Sequence, residues 1–162
     1  MIRGYFEDNE VGNRMETRAR TVTEADIVGF AGLSGDWHPL HTDAAYAGRG
    51  PFGQRIAHGM LVLAILTGLA PLDTETVMAF YGIDRLRFLR PTFIGDTIRV
   101  VSVVKEAQPR DETSGVIASD VSVLDDEDNV LVSGVFRMLV RRRTAENGRP
   151  TPDGVASTPV NA

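Results

Sequence analysis

The clearest pattern along the chain has a period of two. Val130, Val132, Gly134, Phe136, Met138 and Val140 fall on one side of an extended segment, with Ser133, Arg137 and Arg141 on the other. Residues 77–90, 97–105 and 116–124 share this grammar, so four long strands are predicted after Pro71. The acidic stretch DDEDN (125–129) separates the last two strands and suits a solvated hairpin turn. Before Pro71 the pattern differs. GMLVLAILTGLA (59–70) carries one polar side chain, Thr67, and its length and proline stop predict a helix. A helix apolar on all sides is expected to be buried all round. Further upstream, Ile27, Phe30, Ala31 and Ser34 recur at helical spacing. Thr23 and Asp26 precede them like a capping box, and Gly32 and Gly35 end the helix near Leu33. Residues 15–22 form a weakly patterned first strand, Asp43 caps a short helix at 44–48, and GRGPFGQ (48–54) is a breaker-rich loop. A strand, then helices, then a run of strands gives an α+β class with an antiparallel sheet. A strongly curved sheet folded around the apolar helix would cover it.

Length and composition narrow the picture. At 162 residues the chain is expected to form one domain, residues 1–143, followed by a flexible tail rich in Gly, Pro, Thr and Asn at 144–162. The net charge of -5 makes it a poor general binder of nucleic acid or anionic membrane. An anionic ligand would need a local group of arginines. No cysteine is present, which excludes disulfides, thiolate nucleophiles and cysteine-ligated metals. No secretory signal is legible, and no apolar run approaches the roughly 20 residues that span a bilayer. A cytoplasmic location is expected.

Chemistry concentrates in SGDWHPLHTD (34–43), where Asp36, His38, His41 and Asp43 surround one proline. All three histidines of the chain, His38, His41 and His58, lie in a short span. Pro39 opposes a continuous helix through the stretch, so a loop is predicted. In a loop, Asp36 and His41 can face one small volume and act as an acid–base pair. Solvated turn residues and a metal-ligand set are the alternatives, though Pro39 spoils helical histidine spacing. His58-Gly59 immediately precedes the apolar helix. The first N–H groups of a helix lack intrahelical partners, so the Gly59 N–H can meet a carbonyl oxygen that gains negative charge.

These residues also carry a resemblance. FAGLSGDWHPLHTDAAYA (30–47), followed by IAHGM (56–60), resembles the MaoC-like dehydratases, the group that contains the (R)-specific enoyl-CoA hydratases. The signature there is approximately S-G-D-x-N-P-[I/L]-H-x-D, then a H-G-M helix start. RFLRPTFIGDT (87–97) is similar to that family's F-x-x-P-x-x-x-G-D segment. The resemblance implies a hotdog fold, a long helix wrapped by an antiparallel sheet, in homodimers or larger assemblies. It implies addition of water to a trans-2-enoyl thioester of coenzyme A or acyl carrier protein, or the reverse. By position, Asp36 and His41 are then the catalytic pair and Gly59 N–H the oxyanion donor. The chemistry calls for no metal, flavin or nicotinamide. One departure is His38, which stands where many members have asparagine.

His38, His58, Arg85 and Arg87 are further candidates for substrate contact. The two arginines are expected on one strand face, either meeting phosphates or simply solvated. The bland reading of His58 is a hydrogen bond that orients the helix start. Two rival functions remain from the sequence: a thioesterase of hotdog type, and an acyl-CoA-binding or assembly domain without turnover.

Overall fold

Thr23 opens the first long helix as its sequence predicts. The computed structural model describes residues 2–144, so the expected tail beyond Thr144 lies outside the described residues. Helix α1 spans Glu24–Ser34. Its capping box is formed: Asp26 N–H donates to Thr23 Oγ1 at 3.3 Å, and Thr23 N–H donates to Asp26 Oδ2 at 2.8 Å. The helix stops at Gly35, whose φ of 78° lies in the left-handed region that favours glycine. Two short helices follow, α2 (Pro39–Thr42) and α3 (Ala44–Gly48), the second capped by Asp43 as expected. Helix α2 corrects the expectation of a plain loop. Pro39 blocks a helix running through it, yet it occupies the first helical position, where a missing N–H costs nothing.

The predicted first strand is two pieces, β1 (Arg14–Glu16) and β2 (Arg20–Thr21), both antiparallel to a later strand. Thr17 sits at the break. Its Oγ1 accepts from Val100 N–H at 3.0 Å, so a side chain replaces a backbone acceptor and interrupts the ladder. After the apolar helix, α4 (Gly59–Leu69), come β3 (Val77–Phe88), β4 (Thr97–Pro109), β5 (Ser114–Leu124) and β6 (Val130–Arg141). The sheet order is β1-β4-β5-β6-β3, antiparallel throughout, with β2 also on β4. Strands β4 and β5 run past the predicted limits. The acidic turn between β5 and β6 is closed by Asp125, whose Oδ1 accepts from Asn129 N–H at 2.8 Å.

Helix α4 packs its Leu61, Val62, Ile65, Leu66 and Leu69 side into one core with Ile98, Val100, Ile117, Val121, Val123, Val132, Phe136 and Val140 of the sheet. Each fully buried aliphatic side chain of this kind contributes about 1.5–3 kcal/mol. The expectation of burial all round is overturned within one chain. Met60, Ala64, Thr67 and Gly68 form an exposed stripe along α4. These residues recur at helical spacing, so the uncovered surface is one continuous face.

Candidate active site

Three separate segments meet at one point. Asp36 lies just past the left-handed stop of α1, and its Oδ1 accepts from His38 N–H at 3.2 Å. His38 then caps α2: its Nδ1 accepts from Leu40 N–H at 3.1 Å. An imidazole nitrogen therefore does there what an asparagine side-chain oxygen does at other helix starts. The turn of helix from Pro39 carries His41 toward the third segment, 56–58, where His41 Nδ1 lies 2.8 Å from the Ile56 carbonyl. That segment is itself pinned. Ala57 N–H donates to Thr92 O at 2.7 Å, and Ile56 pairs with Phe93. The turn carrying Thr92 and Phe93 is tied by Asp96, whose Oδ2 accepts from Phe93 N–H at 2.7 Å.

A carboxylate oxygen of Asp36 and one ring nitrogen each of His41 and His58 lie within 4.8 Å of one another. Asp36 is exposed, His41 half-buried and His58 buried, only 2% of it accessible. The rings of His41 and His58 are stacked, with centroids 3.9 Å apart and planes tilted by 29°. Phe30 of α1 backs His58 from 5.0 Å. A carbonyl oxygen only accepts, so the bond to Ile56 requires a proton on His41 Nδ1. Nε2 of the neutral ring then holds a lone pair. Burial is the largest influence on His41, and it lowers the pKa below the ordinary histidine value. The Ile56 bond opposes this, charge on His58 adds to it, Asp36 opposes it, and His38 adds to it. The neutral, proton-accepting ring is thereby favoured.

Three such side chains are also the donor types of a metal site. The stacking argues against that use. In-plane lone pairs on two near-parallel rings run side by side and do not converge on one ion. In addition, His58 Nε2 lies 3.0 Å from Asp36 O and His41 Nδ1 is engaged by Ile56 O, so one nitrogen of each ring is already spent.

His41 and Gly59 open onto one cavity of about 360 Å³, walled by Phe52, Met60, Val62, Phe88, Leu89 and Val132 among others. Among the described residues no side chain caps the start of α4, so the Gly59 N–H can meet a ligand. Glycine is required here by space: a Cβ on Gly59 would lie 2.7 Å from the Phe88 ring. An oxygen anion could sit at this helix start, opposite the free Nε2 of His41, with an apolar chain in the cavity beyond.

The remaining candidates are dispersed. His38 shapes the loop through its bond to Leu40, and its ring stands 6.2 Å from that of His41. His58 lies behind His41 and does not line the cavity. The expectation that Arg85 and Arg87 share a strand face is overturned by a bulge. Asp84 pairs with Val135 and Arg87 with Ser133, so one extra residue breaks the alternation, and Arg85 takes a φ of 50°. Arg85 borders a groove with Lys105 and Asp120 away from the cavity, and Arg87 donates to the Leu86 carbonyl at 2.8 Å. Arg90, just beyond them, does line the cavity, as do Phe88 and Thr92. The F-x-x-P pattern was the sequence signal for this wall. Nothing in the sequence marked the Ile56 carbonyl as a partner for His41, because every residue has one.

Comparison with known proteins agrees with the motifs. Residues 7–125 match the MaoC like domain family model. Protein MaoC of Klebsiella aerogenes is 43% identical over 100 residues, which cover 61% of this chain and 30% of that protein. The chain therefore spans less than a third of that relative. The (R)-specific enoyl-CoA hydratase of Rhodospirillum rubrum is 34% identical over 137 residues, covering 82% of this chain and 94% of that enzyme. A Mycobacterium tuberculosis protein described as having a double hotdog fold superposes with a TM-score of 0.78 at 20% identity, covering 99% of this chain and 53% of that one. That likeness shows the fold, and it is a hotdog.

Proposed function

This chain belongs to the MaoC like domain family, and from that membership and the site's geometry we propose that it is a hydro-lyase acting on a trans-2-enoyl thioester. The observation that carries the reading is that Asp36 approaches His41, while His41 and the uncapped start of α4 open onto one apolar cavity. In this mechanism, Asp36 and His41 Nε2 hold a water molecule between them. Nε2 takes one proton as the water oxygen bonds to the β-carbon of the substrate. The electron pair of the double bond moves toward the thioester carbonyl, whose oxygen becomes an enolate held by Gly59 N–H. The imidazolium returns the same proton to the α-carbon, so exactly one water is gained and the ring ends neutral. Asp36 accepts the second O–H of the water and steadies the transient positive ring. Removal of water follows the same path backwards.

The acyl group lies in the cavity lined by Phe88, Met60 and Val132, and Arg90 at its wall is placed to meet an anionic part of the carrier, coenzyme A or acyl carrier protein. The unit that works is a homodimer joined through β3, the terminal strand of the sheet. The test is a panel of enoyl-CoA thioesters followed by loss of the conjugated enoyl absorbance. Wild type is expected to hydrate at least one of them. Asp36→Ala and His41→Ala are each expected to lose about 10²–10⁴-fold in turnover. Thiol release with the enoyl absorbance retained would replace this reading by a thioesterase. Tight binding without turnover would replace it by a binding domain.

A further inference from the structure

His58 makes contact with all three groups given roles above. Its ring is stacked on His41 at 3.9 Å, its Nε2 lies 3.0 Å from the Asp36 carbonyl oxygen, and its backbone leads directly into Gly59 as the N-cap of α4. Because a carbonyl only accepts, Nε2 is the donor in that bond. Nδ1 is buried and has no hydrogen-bond partner among the described residues. A buried polar atom left unpaired is costly, so packing alone would be served better by phenylalanine or leucine. The polar work that remains for this ring is its bond to the loop of Asp36.

We propose that His58 is a positioning residue for the hydration, fastening the Asp36 loop to the start of α4 and seating the His41 ring by stacking. The proposal rests on the hydratase reading. It explains how three segments distant in sequence hold one geometry when Asp36 itself is exposed. It also gives His58 two separable functions, a donor bond and an aromatic face. The titratable and charged groups around His41 are Asp36, His38 and His58, with Arg90 on the wall of the same cavity.

Two variants separate the functions. His58→Gln keeps an amide N–H near the place of Nε2 but loses the ring. His58→Phe keeps the ring but loses the donor. With crotonyl-CoA as probe, His58→Phe is expected to lower kcat about 10–100-fold while KM changes less than about threefold, because a small misplacement of the acid–base pair acts on the chemical step. His58→Gln is expected to restore most of that loss. Circular dichroism and thermal melting check that both variants fold. Equal kcat in wild type and His58→Phe would overturn the proposal.

An NMR spectrum of the His41 ring protons, recorded for wild type and both variants, tests the stacking without turnover. The His41 ring-proton shifts feel the stacked ring at 3.9 Å, so they are expected to move in His58→Gln and to stay near wild type in His58→Phe; unchanged shifts in His58→Gln would overturn the proposal. Should wild type hydrate no enoyl thioester, the hydratase reading fails, and these spectra still test whether His58 seats His41.

Discussion

Nδ1 of His41 is committed to the Ile56 carbonyl, and that bond decides what the ring can do. Only Nε2 can take a proton, so the proposed catalysis requires the neutral ring. Burial disfavours the charged form and lowers the pKa, which extends the neutral state to more acid pH than a free histidine allows. The acid limb of kcat/KM is therefore expected to have its midpoint below about 6.5, the ordinary histidine value. Activity should persist as pH falls through that value and be lost only beneath it, which a pH–rate profile in wild type will check. At Gly59 the constraint is steric. Gly59→Ala brings a methyl group to 2.7 Å from the Phe88 ring, so either the ring or the start of α4 must move. A loss of about tenfold in kcat is expected. The double variant Gly59→Ala with Phe88→Leu should recover part of it, and a double-mutant cycle on kcat measures the coupling. Asp36, His41 and Gly59 could be named from the sequence as candidates because each type suits one chemical task. Their tautomers and partners were not, since these depend on backbone carbonyls that the sequence does not distinguish.

Elements place these residues, and the junction after α1 matters most. Gly35 has a φ of 78°, yet a Cβ there would meet nothing within 4 Å. The cost of Gly35→Ala is therefore backbone strain alone, about 1–2 kcal/mol. Asp36 is the next residue, so the same change should also reduce kcat, while Gly35→Asn, which tolerates the left-handed region better, should lose less of both. Chemical denaturation and steady-state kinetics on the two variants check this. The glycine stop, the Thr23 cap and the four long strands could be read from pattern because each depends on neighbours in sequence. The split of β1 from β2 and the bulge at Arg85 could not. The first depends on Thr17 meeting Val100 across the sheet, and the second on the register of β3 against β6.

At the scale of the molecule, the sequence demanded more cover for α4 than one chain supplies. The stripe Met60, Ala64, Thr67 and Gly68 is open. Among the described residues strand β3 ends the sheet with one edge unpaired; it exposes Met78, Phe80, Tyr81 and Phe88, with Asp84, Arg85 and Arg87 confined to its second half. A long apolar edge is a template for pairing with another chain, and a protein that remains monomeric blunts such an edge with charge or proline. Along 78–81, MAFY carries neither. A second copy pairing β3 with β3 would satisfy the edge and cover the apolar surface beside it. The wild-type chain is therefore expected to sediment at twice its 17.6 kDa. Tyr81 is 56% exposed, so Tyr81→Lys leaves the core of one chain intact and places charge where the copies meet. Together with Phe80→Lys it should shift the protein toward monomer and lower turnover, since Phe88 and Met60 wall the cavity and are themselves exposed. Sedimentation velocity with parallel enoyl-CoA assays measures both effects. A monomeric wild type with full turnover would show that one chain holds the whole site and that the β3 edge has another use.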